Sequence, residues 1–412
     1  MNGLLKNKQI QYLFLSSFAV LFVGMGLFPI LPLYATRFGA NSSMIGAFLA
    51  IVFLANALGP MTAGWLAGRI SRRALIVIAG TAGIPALLLM SVANRFWQVV
   101  LLTSVLWFTG GLIMTLVGIL TGQQVDASNR GKAFSIIAMA APLGALIGGA
   151  AVGKLVAWQG YERMFAALNI VWIVIPLIGL FLLKDQGAAP AQSQTTWQTS
   201  VNASRSRTFT RTYYALLAVS LLAAMAINVS RLATSLSMQS LQYSVEDVSQ
   251  ANMFGGLAAI PMTLTIGIFA DRLGAKRFLM AGILFILLGS VMLINAGQLW
   301  QFWLAAALQM LAFSVNGSMG QAISTQINDP ANQSRGISWL NTTMSTANII
   351  CFAAGGIMID ALGLNAVFLT AAIMAVAAAA GLHSLIQLGK PATSQPASCV
   401  QFDRNLREAT CS

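Results

Sequence analysis

Apolar runs of roughly 20 to 27 residues alternate with short polar breaks along most of the chain, each long enough to cross a bilayer core as a tilted helix. Twelve such runs are centred near residues 22, 55, 83, 111, 144, 173, 226, 259, 287, 313, 348 and 377. Glycine and proline inside them do not argue against helices, because neighbouring helices can satisfy the backbone groups they free. The pattern predicts an all-α integral membrane protein with twelve transmembrane helices.

The pattern is also duplicated. GWLAGRISRR, from Gly64 to Arg73, returns 203 residues later as GIFADRLGAKR, from Gly267 to Arg277. At the same offset Trp97-Gln98 returns as Trp300-Gln301, and Asp126 as Asp329. Arg130-Gly131 maps onto Arg335-Gly336 after a two-residue insertion. A half-chain repeat in so apolar a sequence predicts two pseudo-symmetric six-helix bundles around a central site. Their expected limits are 1–184 and 212–389. A cytoplasmic linker at 185–211, rich in Ala, Gln, Ser and Thr, would join them, and a polar, disordered tail would follow at 390–412.

Composition sharpens this. The chain is 57% hydrophobic and 8% charged, with mean hydropathy +0.77, outside the range of soluble domains. Its net charge of +13 is a topology signal. Assigning loops alternately, eighteen Lys and Arg fall on the side of the two termini and four on the other. That bias places both termini in the cytoplasm and the chain in the plasma (inner) membrane. No aromatic-basic surface accompanies the charge, so nucleic acid is not an expected partner. The first apolar run lacks a convincing cleavage site and reads as a retained span. Cys351 is mid-span, Cys399 and Cys411 are in the tail, and no disulfide, metal or cofactor spacing is present. Catalytic signatures such as GxSxG or HExxH are missing, so an enzyme is not expected.

Polar residues within apolar spans are the candidates for a pathway. Arg231 lies about ten residues from the outer end of the seventh span, about 15 Å deep at helical rise. A charge there is expensive and points to function. Asn228, Arg231 and Ser235 form one stripe. Gln309, Phe313 and Asn316 share a face of the tenth span, and Asn341, Ser345 and Asn348 a face of the eleventh. Asn56 is the clearest candidate in the first half. The counterpart of Arg231 by the 203-residue offset is Phe28. All ten acids fall in loops or near span ends. In the fifth span Gly144, Gly148, Gly149 and Gly153 permit close helix approach, as Gly255-Gly256 and Gly355-Gly356 would later.

With these features the chain resembles the major facilitator superfamily, its twelve-helix drug-antiporter-like branch in particular. The carrying motif is the loop after the second helix of each half, G-x-L-x-D-R-x-G-R-R. The second copy keeps Gly267, Asp271, Arg272, Gly274 and Arg277; the first keeps Gly64, Arg69 and Arg73, with Gly68 in place of the acid. The resemblance implies a cytoplasmic latch in which Asp271 faces the N-terminus of the fifth helix, near Arg130. It implies secondary active transport of a small organic solute by alternating access. Arg231 favours an anionic or zwitterionic solute, and the alternative is multidrug efflux by proton antiport. A small-molecule substrate, the lipid bilayer and protons as coupling ion are the expected partners of a monomer, although no span centre holds a carboxylate for protons.

Overall fold

The computed structural model describes residues 7–125, 130–181, 183, 209–328 and 332–388, with the side chains at 130, 131, 267–273, 334 and 385–388 outside that description. The expected linker as far as residue 208 and the tail from 390 lie outside the described residues. Among the described residues thirteen helices follow one another and no strand occurs. The first half holds α1 (Lys8–Leu27), α2 (Leu31–Thr36), α3 (Ser42–Leu66), α4 (Arg72–Ser91), α5 (Phe96–Gln123), α6 (Arg130–Ala138) and α7 (Ala140–Phe181). The second holds α8 (Arg211–Ser240), α9 (Val245–Leu273), α10 (Ala275–Ile294), α11 (Leu299–Ile327), α12 (Gln333–Leu362) and α13 (Leu364–Leu388).

These make twelve crossings. Helix α2 continues α1 past the Pro29 and Pro32 region, and α6 runs into α7. Gly160, at φ 76°, folds α7 back on itself, so that α7 supplies the end of the fifth crossing and all of the sixth. An even number of crossings puts both ends of the bundle on one face, the terminal face. The other is the far face.

Local chemistry explains why the repeats are visible in sequence. Gln98 and Gln301 each sit in the first turn of their helix and reach back to cap it. Gln98 Oε1 accepts from the Asn94 and Arg95 N–H at 2.9 and 3.1 Å. Gln301 Oε1 accepts from the Gly297 and Gln298 N–H, both at 2.9 Å. Both satisfy orphan donors at a far-face helix start. Positive backbone φ recurs at the same offset: Gly39 (75°) with Gln242 (62°), and Gly160 (76°) with Gly363 (83°). Each pair turns the chain between equivalent spans.

Within the first bundle α1 packs on α7 and α5, α4 on α5 and α7, and α3 on α5. Within the second, α8 packs on α13, α12 and α11, while α10 joins α11 and α13 and α9 joins α11. Across the bundles, α7 packs on α9 and α3 on α12. Adjacent glycines make this possible. A Cβ on Gly148 would meet Phe22 O of α1 at 2.7 Å, whereas one on Gly149 would meet Met253 N of α9 at 2.6 Å. Gly255 faces Ala306 of α11 and Gly256 faces Pro142 of α7. Gly355 faces Val229 of α8 and Gly356 faces Gly46 of α3. Successive residues on a helix point about 100° apart, so each pair serves its own bundle with one member and the opposite bundle with the other.

Candidate substrate-binding site

The pseudo-twofold axis can be located from contacts between equivalent residues. Arg231 lies over the Phe28 ring with its guanidinium carbon 4.4 Å from the ring centroid. Gln239 Nε2 donates to Thr36 Oγ1 at 2.8 Å. In both pairs the partners are separated by the repeat offset of 203, and equivalent residues can touch only close to the axis. The cross-bundle contact Gly46–Gly356 has as its image Ser249–Gly153, and both occur. Arg231 therefore stands at the centre of the bundle interface, deep in α8.

Its surroundings are aromatic on one side and amide-rich on the other. Phe313 of α11 is the second ring, 5.9 Å from the guanidinium. Phe28 packs on Phe53 and Phe352 with centroids 6.0 Å away, and those two lie 4.9 Å apart, so the cluster bridges α1, α3 and α12. Gln309 Nε2 donates to Ser230 Oγ (2.8 Å) and Thr234 Oγ1 (3.3 Å). Asn228 Nδ2 donates to Asn348 Oδ1 (2.8 Å) and Ala224 O (2.9 Å). Ser235 is buried beside Arg231 in a cavity of about 30 Å³ towards the far face, also lined by Gln309 and Met310. That space suits a water or two and no organic solute.

Towards the terminal face, Phe313 is the exposed residue on this face of α11. Gln309 is 3% exposed, but Phe313, one turn nearer the terminal face on α11, is 39% exposed. Asn316 is buried, and its Oδ1 has no hydrogen-bond partner among the described residues. Asn56 of α3 has its carbonyl and amide oxygens against Gly111 of α5, within the first bundle. Gln123, another polar residue near a span end, accepts from Arg72 Nη1 at 2.8 Å.

The far face is closed. Asp360, at the end of α12, accepts from the Ser42 N–H (3.1 Å) and the Ser43 N–H (2.7 Å), the first two residues of α3. A carboxylate at a helix N-terminus satisfies orphan donors and meets the positive end of the dipole. On the opposite side of the axis Ser249 Oγ donates to Gly149 O (2.8 Å) and accepts from Gly153 N (3.0 Å). Asn252 Nδ2 donates to Met25 O at 2.9 Å. These side-chain hydrogen bonds between the two bundles lie in the far half. Sequence reasoning missed Asp360, because an acid at a span end looks like a solvated one. It also missed Thr36, Gln239 and Ser249, for which the repeat offset was an available signal.

The loop motifs are placed in part. Gly274 takes φ 82° and N-caps α10, a conformation suited to glycine, and Arg277 is exposed. Gly267, Asp271 and Arg272 belong to α9, and Arg130 begins α6, but the side chains of the latch lie outside the described residues. In the first copy, no atom lies within 4 Å of a Cβ built on Gly64, and Arg69 covers the Trp65 ring at 4.1 Å. Arg73 donates to Gly179 O at 2.8 Å and to Leu180 O, capping the last carbonyls of α7. Among the described residues, no cluster of His, Cys, Asp or Glu could hold a metal ion.

Comparison with known proteins bears on this geometry. The Major Facilitator Superfamily profile matches residues 13–236 and 216–398. Multidrug resistance protein MdtG of Salmonella choleraesuis is 24% identical over 306 residues, covering 72% of this chain and 74% of the relative. The same protein of Salmonella arizonae aligns with the same identity and coverage. Among solved structures, the nucleoside transporter NupG superposes with TM-score 0.78 at 15% identity, covering 92% of this chain and 99% of that one. A bacterial homolog of the human lysosomal transporter Spinster, inward-facing and unoccupied, gives 0.71 at 14% identity, with 93% and 98% covered. These structural likenesses concern the fold alone.

Proposed function

The chain belongs to the Major Facilitator Superfamily, and from that premise we propose a secondary transporter that carries a small organic solute with an anionic group, anionic or zwitterionic overall, by alternating access. It is a multi-pass membrane protein of transporter type. The observation that carries the substrate reading is the Arg231 guanidinium at the pseudo-twofold axis, set against Phe28 of the opposite bundle. A cation so deep is expensive unless a partner compensates it.

The cycle follows from the contacts. With the far gate closed, solute enters from the terminal face, past Phe313, and meets Arg231. The bundles then rock. The Asp360, Ser249 and Gln239 contacts separate, and the terminal ends close. The eighteen-to-four distribution of basic residues supports a cytoplasmic terminal face and insertion in the inner membrane. Because Arg231 belongs to one bundle and Phe28 to the other, opening the far gate parts them, which ties occupancy of the site to the conformational exchange.

Thermal stability of the purified protein against organic anions, zwitterions and lipophilic cations tests this reading, since bound ligand raises the melting point by mass action. Stabilisation by anions or zwitterions is expected, with Arg231→Ala weakening binding about ten- to a hundredfold, as for a lost charge-assisted contact. The relatedness to MdtG favours a second reading, multidrug efflux by proton antiport. In that case lipophilic cations stabilise the protein, Arg231→Ala leaves the effect intact, and Arg231 is structural.

A further inference from the structure

We infer that the solute is an amphipathic monoanion: one carboxylate or similar anionic group on an apolar, ring-containing or alkyl body that bears no ammonium. This deepens the proposed function and rests on its reading of Arg231 as the anchor.

A guanidinium over an aromatic ring has its face covered and its N–H groups at its edge, in a fork that matches a carboxylate. Arg231 is covered by Phe28 at 4.4 Å. Two neighbouring amides already spend their donors, Gln309 on Ser230 and Thr234 and Asn228 on Asn348 and Ala224. Among the described residues no acceptor or carboxylate partners Arg231. The strong donor left for a ligand is the guanidinium.

The other Lys and Arg fall in loops or near span ends, and so do all ten acids. The centre of the pathway thus offers one positive charge and no negative one. A second anionic group on the solute would be desolvated without a partner, and so would an ammonium. A peptide or amino acid would find no carboxylate there for its ammonium, only the neutral Asn316 amide oxygen.

The first bundle contributes Phe28 and Phe53 at this level, and the second contributes Phe352 and Phe313. Polar side chains are concentrated on α8, α11 and α12 of the second bundle, where they bond mainly one another. Phe313 and the half-buried Phe53 keep ring surface open to a solute, with Phe28 and Phe352 buried behind them, and an apolar body is the complement to those two rings.

Four probes on the detergent-purified full chain separate the possibilities: 3-phenylpropionate, its neutral amide, phenylalanine and succinate. Binding is read from the shift in melting temperature over a titration. The expected result is stabilisation by 3-phenylpropionate, with each of the other three binding about tenfold or more weakly, and loss of the effect in Arg231→Gln. Arg231→Lys, which keeps the charge but not the planar fork, serves as the folding control and should recover the wild-type melting temperature without recovering the full affinity. Phenylalanine or succinate binding as well as 3-phenylpropionate, with all of them lost in Arg231→Gln, would overturn the monoanion inference and leave the anchor standing. Equal 3-phenylpropionate shifts in wild type and Arg231→Gln, or none in either, would overturn both.

Discussion

Arg231 leans on Phe28, the residue that occupies its own position in the other repeat. Its depth was legible in the sequence, because a charge in the middle of an apolar run has no ordinary explanation. The ring beneath it was not legible as a contact: the offset named Phe28 as counterpart without showing that the two meet. Phe28→Leu keeps bulk but removes the ring face, so solute affinity should fall about threefold, as expected for losing about 0.5–1 kcal/mol of cation–π contact. Ligand titration against wild type measures it, and unchanged affinity would make the stacking incidental. Asp360 is the complementary case, an acid the sequence hides among rim residues. Asp360→Asn keeps the shape but removes the charge that accepts from Ser42 and Ser43. Because the pair is exposed, the change should cost the closed far gate about 1 kcal/mol, roughly fivefold in the ratio of states. Reaction of a cysteine placed at Thr36 with an impermeant thiol reagent should accelerate in that variant. A rate equal to that with the native aspartate would show that the carboxylate does not hold the gate.

The glycine pairs on α7, α9 and α12 divide the load between intra-bundle and inter-bundle packing. Sequence spacing marked these helices as closely approached, but it could not say which member of a pair faces which neighbour, since that depends on how each helix is rotated in the bundle. The division leads to contrasting outcomes for two adjacent substitutions. Gly148→Ala pushes a Cβ towards Phe22 O at 2.7 Å inside one bundle, so it should lower melting temperature in whichever state the protein adopts. Gly149→Ala pushes one towards Met253 N at 2.6 Å across the interface, so it should disfavour the closed far gate while leaving the bundle itself intact. The paired readout is melting temperature and far-side cysteine accessibility. If both variants lose stability and neither changes accessibility, the division is wrong. Gln242 is another feature of this kind: it holds φ 62° where its equivalent is Gly39. Gln242→Gly should be neutral or stabilising by up to about 1 kcal/mol.

The duplicated architecture was readable in the sequence because the motifs that survive both copies do the same physical work in each. Gln98 and Gln301 cap helices, and Gly160 and Gly363 turn the chain. What diverges between the copies is the chemistry: a cation at 231 against a ring at 28, and a carboxylate at 360 against Ala157 at the equivalent position. Asn56 was legible as a polar residue in an apolar span, whereas the position of its oxygens against Gly111 depends on the helix rotation and was not. The latch around Asp271 stays an expectation from the family resemblance. The axis itself makes a prediction about the whole protein. Exchanging the two residues, as Phe28→Arg with Arg231→Phe, moves the guanidinium to the other bundle but keeps it at the axis. Anion binding lost in Arg231→Phe alone should return in part in the double variant. Transport of an anion anchored at Arg231 is tested by counterflow of labelled 3-phenylpropionate in proteoliposomes. Saturable exchange is expected with wild type, accelerated by unlabelled solute on the opposite side, and exchange reduced to the protein-free level in a folded Arg231→Gln protein. Undiminished exchange in that variant, or none with wild type, would contradict it.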